Sequence, residues 1–122
     1  MRIHYFCKKI IMKKYKVSIN ETSNKFIVKF ETNFFLTNHQ NYEYNNIDDA
    51  SNSPLAQQLF YLPFVKKIYI SSNFIAIERF NIVEWKDVQD EVAEQIEGYL
   101  NEGNIVIKEI EKIKKTAVTV YA

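Results

Sequence analysis

The sequence predicts an α+β fold: a two-layer α/β sandwich in which a small, mostly antiparallel sheet carries two helices packed on one face. Three observations carry that reading. Short runs of period-2 alternation recur at residues 15–19, 25–30, 65–71 and 74–80. A serine followed by proline opens an apolar stretch at Ser53, and a stripe of 3.6-residue period runs from Trp85 to Leu100. With 122 residues, 47% of them hydrophobic and 15% aromatic, the chain is long and apolar enough for one core.

The first strand alternates Tyr15, Val17 and Ile19 with Lys16 and Ser18, and NETSN, residues 20–24, is the turn that ends it. Next, Phe26, Val28 and Phe30 alternate with Lys25, Ile27 and Lys29, so a second strand turns its aromatic and β-branched set toward the core. Phe34, Phe35 and Leu36 precede the polar turn TNHQN, and YEY at residues 42–44 reads as another short strand. Residues 46–53 are dense in Asn, Asp and Ser, which bond their own backbone at turns and helix starts. Ser53 is the predicted N-cap, with Pro54 at the first helical position, where its missing N–H costs nothing. Leu55, Ala56, Leu59 and Phe60 share one face of that helix, and Pro63 forbids its continuation.

VKKIYIS and FIAIERF, residues 65–71 and 74–80, predict two strands joined by a tight turn at Ser72 and Asn73, with Asn73 as the left-handed residue. Asn81 with Glu84 three residues later matches a capping box for a long helix. Its stripe is Trp85, Val88, Val92, Ile96, Tyr99 and Leu100, Gly98 lies inside it, and Gly103 stops it. Most of the aromatics, Phe26, Phe30, Phe60, Phe64, Phe74 and Trp85, are expected in the core, and any excess marks a partner surface.

The organisation that follows is a basic extension at 1–14, one domain at 15–103, and at 104–122 a linker and the start of a repeated domain. NIVIKEIEKIKK is ambiguous between a strand and a charged linker, and the closing AVTVYA echoes the alternation of YKVSIN. Met12 is a second candidate for the start of the protein. The net charge of +1 conceals a division: residues 1–20 carry six basic residues and no acid, while residues 21–103 carry six basic against thirteen acidic, a net −7. An acidic body argues against nucleic acid as a partner, because phosphate affinity needs clustered Lys and Arg. No apolar run reaches the length of a membrane span or signal core, and one cysteine suits a reducing compartment, so the chain reads as cytoplasmic. An acid-free leader also leaves an organelle presequence as a lesser alternative.

Residues able to do chemistry are scarce. Cys7 alone makes neither an intramolecular disulfide nor a zinc or iron–sulfur site. A nucleophile and base drawn from Cys7, His4 and His39 lacks an indicated third group. Asp87, Asp90, Glu91, Glu94 and Glu97 fall opposite the apolar stripe of the long helix, as a solvated face does. Asp48 and Asp49 suit a turn and a helix dipole better than a metal. With Gly98 and Gly103 as the only glycines, there is no phosphate-cradling loop. The chain is expected to be no enzyme, with no catalytic, metal or cofactor-binding residues.

The segments SPLAQQLF, LPFVKKIYISSNFIAIER and VEWKDVQDEV, in this order and spacing, resemble the N-terminal domain of the Nfu, or NifU-like, iron–sulfur cluster scaffold and carrier proteins. The resemblance covers residues 15–100. Where that family has a Thr-Pro-Asn-Pro-Asn loop before a Lys-Phe strand, this chain has Glu21, Thr22, Ser23, Asn24 and Lys25 before Phe26, without either proline. The family fold is a two-layer α/β domain. Its members assemble or carry the cluster on a separate C-terminal domain with a Cys-x-x-Cys pair, two protomers supplying four thiolates, and some relatives carry the N-terminal module twice. This chain contains no such pair.

The resemblance therefore implies an accessory, non-catalytic role in iron–sulfur cluster assembly and delivery, with iron binding a property of the family rather than of this domain. No cofactor is expected on this chain, and the cluster sits on the absent domain. Implied partners are client apoproteins, assembly factors and the cluster-bearing Cys-x-x-Cys domain, with no nucleic acid and no membrane. On this reading the chain is a fragment or truncated product of a longer carrier. The alternative is a free-standing α/β interaction or regulatory module unrelated to iron–sulfur metabolism. The candidate partner surface is Glu21, Thr22, Asn24 and Lys25 on one loop and Ser72, Asn73 and Phe74 on the other, because binding residues gather on loops set by a rigid sheet.

Overall fold

The computed structural model describes residues 14–108. His4, Cys7 and the predicted start of a repeated domain lie outside the described residues. The elements are β1 (Val17–Glu21), β2 (Ile27–Thr32), β3 (Asn41–Tyr44), a 3-10 turn (Asp48–Ala50), α1 (Pro54–Phe60), β4 (Val65–Ser71), β5 (Phe74–Arg79) and α2 (Trp85–Asn101). The five strands form one sheet in the order β1-β2-β5-β4-β3, every neighbouring pair antiparallel. The predicted α+β architecture is the observed one.

Alternation decides which face is dry. Val28 pairs with Ile77 and Phe30 with Ile75; across the next pair Ile68 meets Ile77 and Ile70 meets Ile75. These six side chains are buried in one cluster with Leu55, Ala56 and Leu59 of α1 and Trp85, Val92, Ala93, Ile96 and Leu100 of α2. Both helices thus cover the same sheet face, and each large aliphatic side chain so buried contributes roughly 1.5–3 kcal/mol. The other face carries Lys29, Tyr69, Phe74 and Ala76, with the exposed pair Lys67–Glu43 at 2.9 Å and the pair of Lys66 with the half-buried Glu78 at 3.5 Å. The Glu43 carboxylate bonded to Lys67 raises that ammonium above the ordinary lysine value.

α1 starts as its sequence dictates. The fully buried Ser53 accepts the Ala56 N–H at 3.1 Å, and its hydroxyl donates to Val106 O at 2.7 Å. The second bond ties residues 104–108 to the domain: Ile107 is buried, and Lys108 N–H donates to Asn52 O at 2.8 Å.

Four local expectations are corrected. β1 begins at Val17 and runs into Glu21, because Tyr15 is taken by α2: its N–H donates to Asn101 Oδ1 at 2.7 Å and its carbonyl accepts from Asn101 Nδ2 at 3.2 Å. No capping box forms on α2. Its N-cap is Glu84, and both polar residues of the predicted box lean instead toward Arg79, whose Nη1 reaches Asn81 Oδ1 and Nη2 reaches Glu84 Oε1, each at 3.4 Å. In the β4–β5 turn the left-handed residue is Ser72 (φ 46°), since Asn73 is pulled the other way by its side-chain bond to Thr32 O at 2.9 Å. Among the aromatics, Phe26 and Phe74 lie outside the core cluster. Phe26 precedes the first β2 residue and Phe74 falls on the open sheet face.

Gly98 is exposed, and a Cβ placed there would meet nothing within 4 Å. Gly98→Ala is therefore expected to stabilise the domain by about 0.5–1 kcal/mol, read as a raised midpoint in urea. A lowered midpoint would mean that this helix face needs the backbone bare.

Candidate functional site

The loop between β1 and β2 holds itself in shape. Thr22 Oγ1 accepts the Asn24 N–H at 3.1 Å and lies 2.9 Å from both Asn24 O and Ile27 O. Asn24 Oδ1 accepts the Phe26 N–H at 2.9 Å, and Ile27 N–H donates to Asn24 O at 3.0 Å. Side-chain bonds of this kind substitute for a backbone turn. They supply the stiffness that two prolines would otherwise give.

The end of the loop is clamped to two other elements. Phe26 O accepts the Arg79 N–H at 3.0 Å and the Trp85 Nε1–H at 2.7 Å. Two cations lie over the Phe26 ring, Lys25 Nζ at 5.3 Å from its centroid and the Arg79 guanidinium carbon at 4.9 Å. Both are cation–π distances. Arg79 is only 2% exposed, and its Nε finds no acceptor among the described residues. Trp85 packs edge-on against Phe30 and Phe64 at 5.8 and 5.9 Å, so the indole is at once core, clamp and wall.

The product is a cleft of about 260 Å³ between the loop and the first turns of α2, where Glu21, Thr22, Asn24 and Lys25 face Trp85, Lys86 and Gln89. Four predicted residues are thus brought together. The indole and the buried sheet lie beneath it, while the rim carries Lys25, Lys86, Glu21 and amide groups. The rim is thus mixed in charge and the floor partly apolar.

Ser72, Asn73 and Phe74 are not part of it. They sit at the far end of β2, roughly 20 Å away at strand rise. Ser72 O accepts the N–H groups of Leu36 and Thr37, and Asn73 O accepts from Thr32 N–H and Thr32 Oγ1. Phe74 is covered by Lys29 Nζ at 4.3 Å and flanked by Tyr69 at 6.0 Å. That turn spends its polar groups on holding the chain after β2. Trp85, Lys86 and Gln89 were not singled out from sequence as site residues. Trp85 had a signal, as the residue that opens the stripe of α2; Lys86 and Gln89 had none, because sheet order decides which loop meets that helix end.

Among the described residues no group of three His, Cys, Asp or Glu comes together in a way that could hold a metal ion. A cluster ligated by four thiolates finds no donor set in them. No helix among them is long and apolar enough to cross a membrane.

The family model described as scaffold protein Nfu/NifU N terminal matches residues 17–103. The chain belongs to that family. The Nfu N-terminal match starts at the first residue of β1 and ends just past α2, so it contains both the loop and the helix end that form the cleft. Among solved structures, the chain is similar to the crystal structure of protein SAV1430 from Staphylococcus aureus, with 25% identity, a TM-score of 0.56, and coverage of 65% of this chain and 95% of that one. It is also similar to the solution structure of SeR13 from Staphylococcus epidermidis, with 22% identity, a TM-score of 0.48, and coverage of 71% and 95%. No curated protein matches. Membership in the Nfu N-terminal family makes this an iron–sulfur scaffold-related domain.

Proposed function

We propose that this Nfu N-terminal domain is a non-catalytic recognition module of an iron–sulfur cluster scaffold or carrier, engaging client apoproteins or assembly factors during cluster delivery in the cytoplasm. The observation that carries the reading is the family match over residues 17–103. The self-bonded loop and its cleft against α2 support a contact surface there. In this proposal the cluster is cargo of a separate domain, and the present residues position that domain beside its recipient. Their own chemistry is shape and hydrogen bonding.

The test is an anaerobic pull-down from source-cell lysate, with the wild-type chain and a Lys25→Glu/Gln89→Ala variant as baits and mass spectrometry as readout. Both changes lie on the cleft rim and leave the Thr22 and Asn24 bonds in place. Iron–sulfur apoproteins or assembly factors are expected on the wild type and reduced at least about tenfold on the variant, the loss of roughly 1.4 kcal/mol at an interface. Unrelated proteins, or self-association alone, would overturn the proposal in favour of a regulatory module outside iron–sulfur metabolism. Equal retention of iron–sulfur proteins by both baits would displace the surface from this cleft.

A further inference from the structure

The side chains that line the cleft beside Trp85 fall into two sets. Thr22 and Asn24 spend their polar groups inside the loop, whereas the side chains of Ser23, Lys25, Lys86 and Gln89 have no hydrogen-bond or ion-pair partner among the described residues. Lys25 and Lys86 are both exposed, and the ion pairs found among the described residues are made elsewhere, by Lys66, Lys67 and Arg79. The two lysines therefore face one cleft with a single acid, Glu21, in its wall; none of the acids of α2 lines it.

A third cation stands behind the loop. Arg79 is buried over the same Phe26 ring that Lys25 overlies, and its Nε has no acceptor among the described residues. Its carboxylate partner, Glu84, is 3.4 Å away with a side chain 61% exposed. Water screens that carboxylate more than it screens the buried guanidinium, so the pair leaves positive potential on this side of the domain. Residues 21–103 hold six basic and thirteen acidic residues, and three of the six gather here. This end of the sheet thus opposes the charge of the body that carries it.

Size narrows the occupant. At about 260 Å³ the cleft lies below the roughly 300–1,000 Å³ of small-molecule pockets, with room for about one or two side chains beside Ile27, Val28 and Trp85. A loop already held by its own bonds loses little freedom when something docks against it.

We propose that this cleft receives an acidic segment of a partner polypeptide, its carboxylates at Lys25 and Lys86 and a neighbouring apolar side chain against Trp85. The inference rests on the reading of the cleft as a contact surface and adds the chemistry of what is contacted. Exposed ion pairs are individually weak, so the charges select the partner and make the contact salt-sensitive, while the apolar side chain and the free polar groups of Ser23 and Gln89 hold it.

The experiment titrates the full-length, nitrogen-15-labelled protein with three end-blocked tetrapeptides: Glu-Leu-Glu-Leu, its amide isostere Gln-Leu-Gln-Leu, and Lys-Leu-Lys-Leu. Amide shifts are expected at residues 21–25 and 85–89. The acidic peptide should bind at least about tenfold tighter than the isostere at about 20 mM salt, and within about twofold of it at about 0.5 M, where the screening length falls to a few ångströms. Lys25→Gln/Lys86→Gln should abolish that preference and leave the remaining peak positions, and hence the fold, unchanged. Trp85 is the sole tryptophan of the chain, so its emission gives a second readout in the cleft itself. Equal binding of the three peptides, no shift at about 1 mM peptide, shifts centred on the open sheet face, or sodium acetate acting as well as the acidic peptide would overturn the proposal. The result is separable from the pull-down. A chain that prefers the acidic peptide yet retains no iron–sulfur protein upholds this inference and loses the iron–sulfur reading, while one that retains those proteins without preferring the acidic peptide does the reverse.

Discussion

Replacing Trp85 with alanine is expected to cost the domain about 3–5 kcal/mol, the range for emptying a large aromatic site in a core. The indole is 5% exposed, meets Phe30 and Phe64 edge-on, and donates its N–H to Phe26 O at 2.7 Å. Three parts of the fold therefore lose contacts together: the sheet, the start of α2 and the loop that walls the cleft. For a domain this size 1 kcal/mol moves Tm by roughly 4–8 °C, so the variant should melt far below the parent or fail to fold. Trp85→Phe separates the parts. It keeps an aromatic ring but drops the N–H, and Phe26 O retains the Arg79 N–H, so about 1–2 kcal/mol is expected. Urea titration followed by circular dichroism measures both, since the fluorophore itself is removed. A Trp85→Ala loss under about 1 kcal/mol would show that the indole is not a core element.

Ser53→Ala is the second change with a large expected effect for its size. One hydroxyl serves two buried partners, accepting the Ala56 N–H and donating to Val106 O. Alanine leaves both unmet at a fully buried position, and the expected cost is about 1–3 kcal/mol. Hydrogen exchange distinguishes this from a mere loss of helix propensity. The Ala56 amide and the Lys108 amide, the latter bonded to Asn52 O, should both lose protection, because one bond caps α1 and the other fastens residues 104–108. Exchange that quickens only in α1 would mean that Ile107 and the Lys108–Asn52 bond hold that segment without the hydroxyl.

The legible parts of the fold were those fixed by neighbours in sequence. Ser53-Pro54 announced the start of α1 because a cap and a proline act locally. Period 2 announced β4 and β5, and the apolar stripe announced α2. Where a distant element competed for a polar group, local signals failed. Asn81 and Glu84 matched a capping box, yet Arg79, buried at the end of β5, drew both. Asn73 was the better left-handed residue by type, but its bond to Thr32 across the turn passed that conformation to Ser72. The cleft was half legible. The loop residues stood out as turn formers, while Lys86 and Gln89 joined them through sheet order, which residue types do not encode.

The side-chain bonds that hold Tyr15 and Val17 to α2 bear on how this protein behaves at high concentration. An outermost strand offers unpaired N–H and C=O groups to any passing extended chain, which is how sheets join into larger aggregates. Here Asn101 takes both backbone groups of Tyr15 and Glu97 takes the Val17 N–H, so the first rungs of that ladder are already occupied by a helix lying alongside. The opposite border, β3, is only four residues long. One border is thus stoppered at its start and the other is short, and both features hinder pairing with a passing extended chain.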